Sequence, residues 1–237
     1  MSSIGPRDSA AFEVLEALRQ PGCAVCQLAL RSVKKMIGSI AYEQVNDPPL
    51  RKELRRARGF CNRHAHQWLR EARSVLGTAL IYKDVLQTAL RELETGEPAS
   101  SGQRAGLLSG WLRAGDHHRR GARCPACRAQ VEAEARYVDV LLELLGSLDA
   151  SEVRSAVEAS DGLCLRHTLA TVRAGGPRSG ALVKVTRQRV AALIDELDEV
   201  IRKEDYRFRE EPRTEAERTA PARAVGWAAA AEGIRDL

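Results

Sequence analysis

The pattern Gly-apolar-Cys-x-Arg-His occurs twice in this chain, as GFCNRH at 59–64 and GLCLRH at 162–167. A Cys-x-x-Cys precedes each copy at a distance: CAVC at 23–26 and CPAC at 124–127. All six cysteines fall in these four motifs. Two ligands three residues apart project from the same side of a helical turn. Three thiolates and one imidazole are a common tetrahedral set for structural zinc. A single Cys-x-x-Cys is a weak signal. Two of them, each followed at nearly equal distance by a Cys-x-x-His, are a strong one, and the fold must bring these half-sites together.

The simplest pairing joins the half-sites nearest in sequence. Site 1 is then Cys23, Cys26, Cys61 and His64, and site 2 is Cys124, Cys127, Cys164 and His167. The intervening 27–60 and 128–163 read as a long helix, a turn and a shorter helix. A helix of 15–20 residues runs about 22–30 Å, so the half-sites meet only if the chain goes out and returns. The Cys-x-x-Cys pairs and Cys61 sit at helix starts, where partial positive charge and free N–H groups favour thiolate. That helps metal binding and nucleophilic chemistry alike. Two zinc ions are the leading expectation. An iron–sulfur cluster on the same ligands, metal-free thiol redox chemistry, and buried cysteines without an ion are the alternatives.

Aligning Cys23 with Cys124 gives an offset of 101, and aligning Cys61 with Cys164 an offset of 103. Gly59/Gly162, Arg63/Arg166 and Gly77/Gly180 keep the second offset. Residues 96–104, EPASSGQRA, make a joint. The expected architecture is all-α: a tandem duplication of a helical unit, each copy with a Cys3His site, plus a C-terminal tail. The expected domains are 1–98, 99–207 and a tail at 208–237, docked by Trp227 or disordered.

Apolar spacing predicts helices over SAAFEVLEALRQ, 24–44, LRKELRRAR and NRHAHQWLREAR. A further helix covers TALIYKDVLQTALRELE, and the same order follows in the second half. Asp47 is the expected N-cap of the helix that opens with Pro48 and Pro49. No run alternates with the period of a strand. Aromatic residues are only 4% of the chain, so Leu, Val, Ile and Ala fill the interior, which suits helices.

Arg63 and Arg166 lie between ligands, and a charge partner to a thiolate-rich site, or a fork to a carboxylate, is their expected role. His66, His117 and His118 have no counterpart in the other half and read as surface residues. Tyr42, Tyr82 and Tyr137 fall at core-like helical positions. The net charge of +5 permits a polyanionic partner. The basic stretches 51–58 and 117–123 lack interleaved aromatics, so nucleic-acid binding is weakly supported. No phosphate loop, nucleophile elbow or His-Glu-x-x-His is present. No apolar run reaches the roughly 18 residues of a membrane span. The first 20 residues alternate apolar and charged positions, unlike a secretory signal. A cytoplasmic location, where thiols stay reduced, and no membrane partner are expected.

The segments CAVC, YEQVNDP, GFCNRHA and DYRFREEPR together resemble a family of uncharacterised bacterial helical proteins, grouped as a domain of unknown function. The likeness covers roughly 20–215. It implies the helical fold and the ligand set and brings no activity with it. The chain departs in Ala24, where a proline often follows the first cysteine, and in an alanine-rich rather than acidic tail. The expected function is that of a non-enzymatic, zinc-stabilised helical protein that presents surfaces to a protein partner. A redox or metal-sensing protein and an enzyme with catalytic zinc are the competing classes.

Overall fold

The computed structural model describes residues 6–95, 124–147 and 151–234, and these form helices with no strand among them. The first helices are α1 (Pro6–Leu18), α2 (Ala24–Ser39), a π-helical turn (Ile40–Gln44), α3 (Pro48–Ala57), α4 (Asn62–Glu71) and α5 (Val75–Thr95). Then come α6 (Pro125–Gly146), α7 (Ser151–Ala159), α8 (Leu165–Gly175), a 3-10 turn (Gly176–Ser179), α9 (Gly180–Arg202) and α10 (Glu215–Ala229). His117, His118, the basic stretch 117–123 and the joint 96–104 lie outside the described residues.

Local chemistry sets the boundaries. Asp47 is extended and its carboxylate accepts from the Leu50 N–H at 2.8 Å, with prolines in the first turn of α3. Arg58 ends α3 in the left-handed region at φ 55°, and Gly59 follows at φ 90°. Arg73, at φ 47°, separates α4 from α5. There the Ser74 hydroxyl accepts from the Gly77 N–H at 3.0 Å.

The chain divides into two compact units, Met1–Leu30 with Glu132–Leu237, and Arg31–Val131. Neither coincides with the expected halves 1–98 and 99–207, because the boundaries fall within α2 and α6 rather than at the joint. In the first unit, α1 packs on α7, and α9 packs on α7, α8 and α10. Its core joins Val14 and Leu18 of α1 to Leu28, Leu141, Val157, Leu163 and Leu182. In the second, α3 packs on α5, and Leu54, Phe60, Trp68 and Ile81 form the centre. Trp68 is fully buried, stacks on Phe60 with centroids 5.5 Å apart, and donates its indole N–H to Thr78 Oγ1 at 2.9 Å.

Tyr137 is buried and donates to Glu13, and Tyr82 packs half-buried against the second core. Tyr42 corrects the expectation: it is 89% exposed. It lies in the π turn, where one extra residue rotates the following side chains by about 100°. Ile40 stays inside and Tyr42 turns out. His66 is exposed.

The C-terminal residues form α10 and bury Ala220, Ala230 and Ile234. Trp227 is only half-buried. A capping box links Thr214 and Glu217. Lys203 Nζ lies 2.8 Å from both carboxylate oxygens of Glu217, and both residues are buried. The Lys203 hydrogen bond holds the Glu217 carboxyl below the usual carboxylate range. A depressed carboxylate stabilises the fold above its unfolded pKa of about 4.3, and that contribution is lost as pH falls through the lower folded value. The difference in urea midpoint between the wild type and Glu217→Gln should therefore be full at pH 7 and shrink steadily below about pH 4.3.

Gly162 has φ 77°, and a Cβ there would sit 2.8 Å from Thr186 Oγ1 and 3.0 Å from its Cα. Gly162→Ala should destabilise by about 1–3 kcal/mol in urea titration. Gly180 has an α-helical φ of −56° and open space around it, so Gly180→Ala should be close to neutral.

Candidate metal centres

Each half-site opens a helix in the same way. A cysteine stands just before the helix, and its second ligand follows three residues on. Cys23 and Cys26 open α2, Cys124 and Cys127 open α6, Cys61 and His64 open α4, and Cys164 and His167 open α8. In all four, the carbonyl of the leading cysteine accepts the first helical hydrogen bond, from Gln27, Arg128, Ala65 and Thr168 respectively. Cys61 and Cys164 adopt nearly identical extended torsions, −63°/165° and −62°/163°. The preceding glycines, Gly59 at φ 90° and Gly162 at φ 77°, turn the chain into these helices. Their Cβ-free backbone makes that left-handed turn without strain, which is why both copies of the motif begin with glycine.

The eight ligand candidates gather in two clusters: Cys23, Cys26, Cys164 and His167, and Cys61, His64, Cys124 and Cys127. Within each, the four donor atoms lie within 4.8 Å of one another. This corrects the pairing expected from sequence distance: each Cys-x-x-Cys meets the Cys-x-x-His of the other half. The reason is helix length. From Ala24 to Gln44 the chain travels about 30 Å as helix, while the ten residues of α3 retrace about 15 Å. The 22 residues of α6 and the nine of α7 are as unequal. Neither excursion brings the chain back to its own start.

In the first cluster, His167 Nδ1 lies 3.4, 3.3 and 3.2 Å from the sulfurs of Cys23, Cys26 and Cys164, and the Cys26 and Cys164 sulfurs are 3.7 Å apart. In the second, His64 Nδ1 lies 3.4, 3.6 and 3.4 Å from those of Cys61, Cys124 and Cys127, with Cys61 and Cys127 3.6 Å apart. Three residues of each cluster are buried, and Cys23 and Cys61 are half-buried. A tetrahedral ion bound at about 2.3 Å to sulfur and about 2.0 Å to nitrogen sets sulfurs about 3.8 Å apart and sulfur and nitrogen about 3.5 Å apart. The observed spacings fit such an ion.

The donors compete for protons. In the first cluster, hydrogen bonds from Cys23 and Cys26 pull the Cys164 thiol far down, and burial pushes Cys23 well up. Burial opposes a charged His167, yet hydrogen bonds with Cys164 and Cys26 and the nearby Glu134 carboxylate carry it up to about 11. In the second, bonds with Cys124 and Cys127 pull Cys61 down, bonds with Cys124 and Cys61 push Cys127 up, and His64 rises against its burial through bonds with Cys124 and Cys61.

Residues around the ligands complete the sites. The Gly22 N–H donates to Asp161 Oδ2 at 2.7 Å, tying the turn before Cys23 to the turn before Cys164. Arg166 forks onto Glu134, at 2.8 and 3.3 Å. Arg63 donates to the Gln130 amide oxygen at 2.8 Å. The carboxylate expected beside these arginines is thus present for one and replaced by an amide for the other. Asp161, Gln130 and Glu134 escape a motif search; the trace available in the sequence is that Cys127, Gln130 and Glu134 share one face of α6.

Fold and donor sets define an all-α protein with two buried Cys/His clusters able to hold metal ions. The chain belongs to the family described as "Family of unknown function (DUF6062)", which it matches over residues 10–231. It is also similar to the "Uncharacterized 23.9 kDa protein in xynA 3'region" of Caldicellulosiruptor sp. (strain Rt8B.4). The two are 36% identical over 75 residues, which is 32% of this chain and 36% of that protein. No solved structure matches the chain.

Crossed pairing makes a direct prediction for disulfide mapping. Mild oxidation of the folded chain, without a chelator, should yield peptides joining Cys26 to Cys164 and Cys61 to Cys127. A dominant Cys26–Cys61 link would contradict the arrangement.

Proposed function

We propose that this is a zinc-binding helical protein without catalytic activity, in which two structural ions fix the helix starts and the exposed helices present binding surfaces to a protein partner. The observation that carries this reading is the closed set of four donors at each centre. Structural zinc takes four protein ligands, whereas catalytic zinc keeps a position for water. The soft, thiolate-rich donors favour zinc among divalent ions available to a reducing compartment. A zinc ion supplies a redox-inert tetrahedral cross-link there. The thiolates and Nδ1 atoms named above would hold it, while the core residues around them exclude water.

Other readings have less support. A polynuclear iron–sulfur cluster spreads its cysteines over several irons, and donors all within 4.8 Å of one another suit a single ion better. Redox cycling calls for accessible thiols, and four of the six cysteines are buried. In the basic stretch 51–58, Arg51 and Arg55 are spent on Asp84 and Arg58 on Glu92, which weakens the case for nucleic acid. Leu76, Leu86, Leu90 and Leu93 are each more than half exposed along α5, an apolar row that supports a protein partner. No helix among the described residues is long and apolar enough to cross a membrane. A reducing cytoplasm suits the six free thiols. The helix order long, short, short, long occurs twice, which supports descent of 1–98 and 99–207 from one duplicated unit.

Elemental analysis of purified protein should find two zinc ions per chain. Iron, or less than one ion, overturns the reading. Structural zinc contributes about 10–16 kcal/mol in small systems, against about 5–15 kcal/mol of total stability for a typical domain. Chelation under reducing conditions should therefore abolish the cooperative thermal transition, and re-addition of zinc should restore it. Thiols that oxidise rapidly with the metal still bound would instead favour a redox switch.

A further inference from the structure

The two centres share a donor set but not their surroundings. In the first, the His167 ring presents Nδ1 to the three sulfurs and Nε2 to a carboxylate. Glu134 Oε2 lies 3.7 Å from Nε2. His167 is 1% exposed, the Nε2–Oε2 separation is that of an ionic contact rather than a hydrogen bond, and Nε2 and Glu134 Oε1 have no hydrogen-bond partner among the described residues. Arg166 anchors the same carboxylate at 2.8 Å. Glu134 is itself buried, so Arg166, Glu134 and His167 form a buried charged group rather than a surface contact. In the second centre, the arginine between the ligands, Arg63, meets the neutral Gln130 amide, and His64 contacts the sulfurs of Cys61, Cys124 and Cys127, with no ion pair to a carboxylate among the described residues.

The chemical consequence has one sign. A carboxylate behind a ligating imidazole fixes the tautomer that leaves Nδ1 free for the ion and makes that nitrogen a better donor, and losing it typically lowers metal affinity about 10–100-fold. Three thiolates and a divalent ion carry a net charge of −1. Glu134 and Arg166 cancel, so the first centre keeps its negative charge. The second gains the charge of Arg63 with no carboxylate to offset it, which weakens its hold on a cation.

We propose that the two centres are unequal: Glu134 positions His167 and makes Cys23/Cys26/Cys164/His167 the tighter site, so that Cys61/His64/Cys124/Cys127 surrenders its ion first. The inference rests on the metal reading above and adds an order of release, in which one centre is a permanent cross-link and the other an exchangeable one.

The test uses the full chain loaded with zinc and challenged with excess 4-(2-pyridylazo)resorcinol, with N-ethylmaleimide present to mark freed thiols. The expected result is two release phases differing about 10–100-fold in rate. Peptide mass mapping should find Cys61, Cys124 and Cys127 modified in the fast phase and Cys23, Cys26 and Cys164 in the slow one. Glu134→Gln should accelerate the slow phase about tenfold or more and leave the fast phase unchanged. A single phase, the reverse order of labelling, or equal acceleration of both phases by Glu134→Gln overturns the proposal. The order of labelling in the unsubstituted protein decides the question whether or not a variant folds. A starting content below two ions overturns the metal reading itself, and is distinguished by measuring that content before the challenge.

Discussion

In each unit, everything turns on two helix N-termini that meet with their leading and third residues facing one another. A helix start leaves free N–H groups and a partial positive charge. Two starts aimed at one point make a place where thiolates are stabilised, and the four donor atoms occupy it. The surrounding core is built on the same residues. Cys26 and Cys164 belong to one apolar cluster, with Ala24, Val25 and Leu163 as neighbours, and Cys124 and Cys127 belong to the other, beside Phe60 and Trp68. Burying so many electron-rich groups in apolar surroundings is expensive without a compensating charge. A bound divalent ion would offset that penalty and supply a cross-link at the same point, so packing and metal binding at these centres would act as one interaction rather than two.

Much of this was legible in the sequence because it depends on short-range chemistry. The helix starts are announced by Asp47 with its prolines and by the glycines before Cys61 and Cys164. All eight residues that gather in the clusters were visible as spaced pairs. The partnership between pairs was not, because it depends on how far each helix carries the chain. Sequence distance suggests Cys26 with Cys61. The length of α2 and the brevity of α3 forbid it. Tyr42 misled for a related reason: a π turn shifts the helical phase by one residue, and nothing in IAYEQ announces the insertion. Glu134 stayed hidden because a glutamate two turns past Cys127 on a charged helix looks like solvent-facing surface. Only the burial of α6 shows otherwise.

The asymmetry between the centres grows out of the same geometry. The arginine that follows each third-motif cysteine by two places is presented by an equivalent helix start in both cases, so its position is set by the motif. What it meets is set by the helix opposite. Arg166 reaches Glu134 and Arg63 reaches Gln130, both on α6. The equivalent stretch of α2 offers Ala29 and Val33, which are buried apolar residues. Identical ligand motifs therefore acquire different second partners because the two long helices were never identical away from their first turn.

Crossed pairing also carries an entropic consequence that decides little. Cys26 and Cys164 are 138 residues apart, and Cys61 and Cys127 are 66 apart. Pairing within each half would have closed loops of about 35 residues. Closing a longer loop costs about 0.6 kcal/mol per doubling, so the crossed arrangement is dearer by about 1.2 kcal/mol at the first centre and about 0.6 kcal/mol at the second. Folding α2 back on itself would break several helical hydrogen bonds, each worth about 0.5–1.5 kcal/mol net, and would expose the apolar face that carries Leu28, Val33 and Ile37. Helix integrity outweighs loop entropy. The long-range closures place the burden on kinetics instead, because loop-closure entropy is spent before non-local contacts return any stabilisation, and such contacts slow folding.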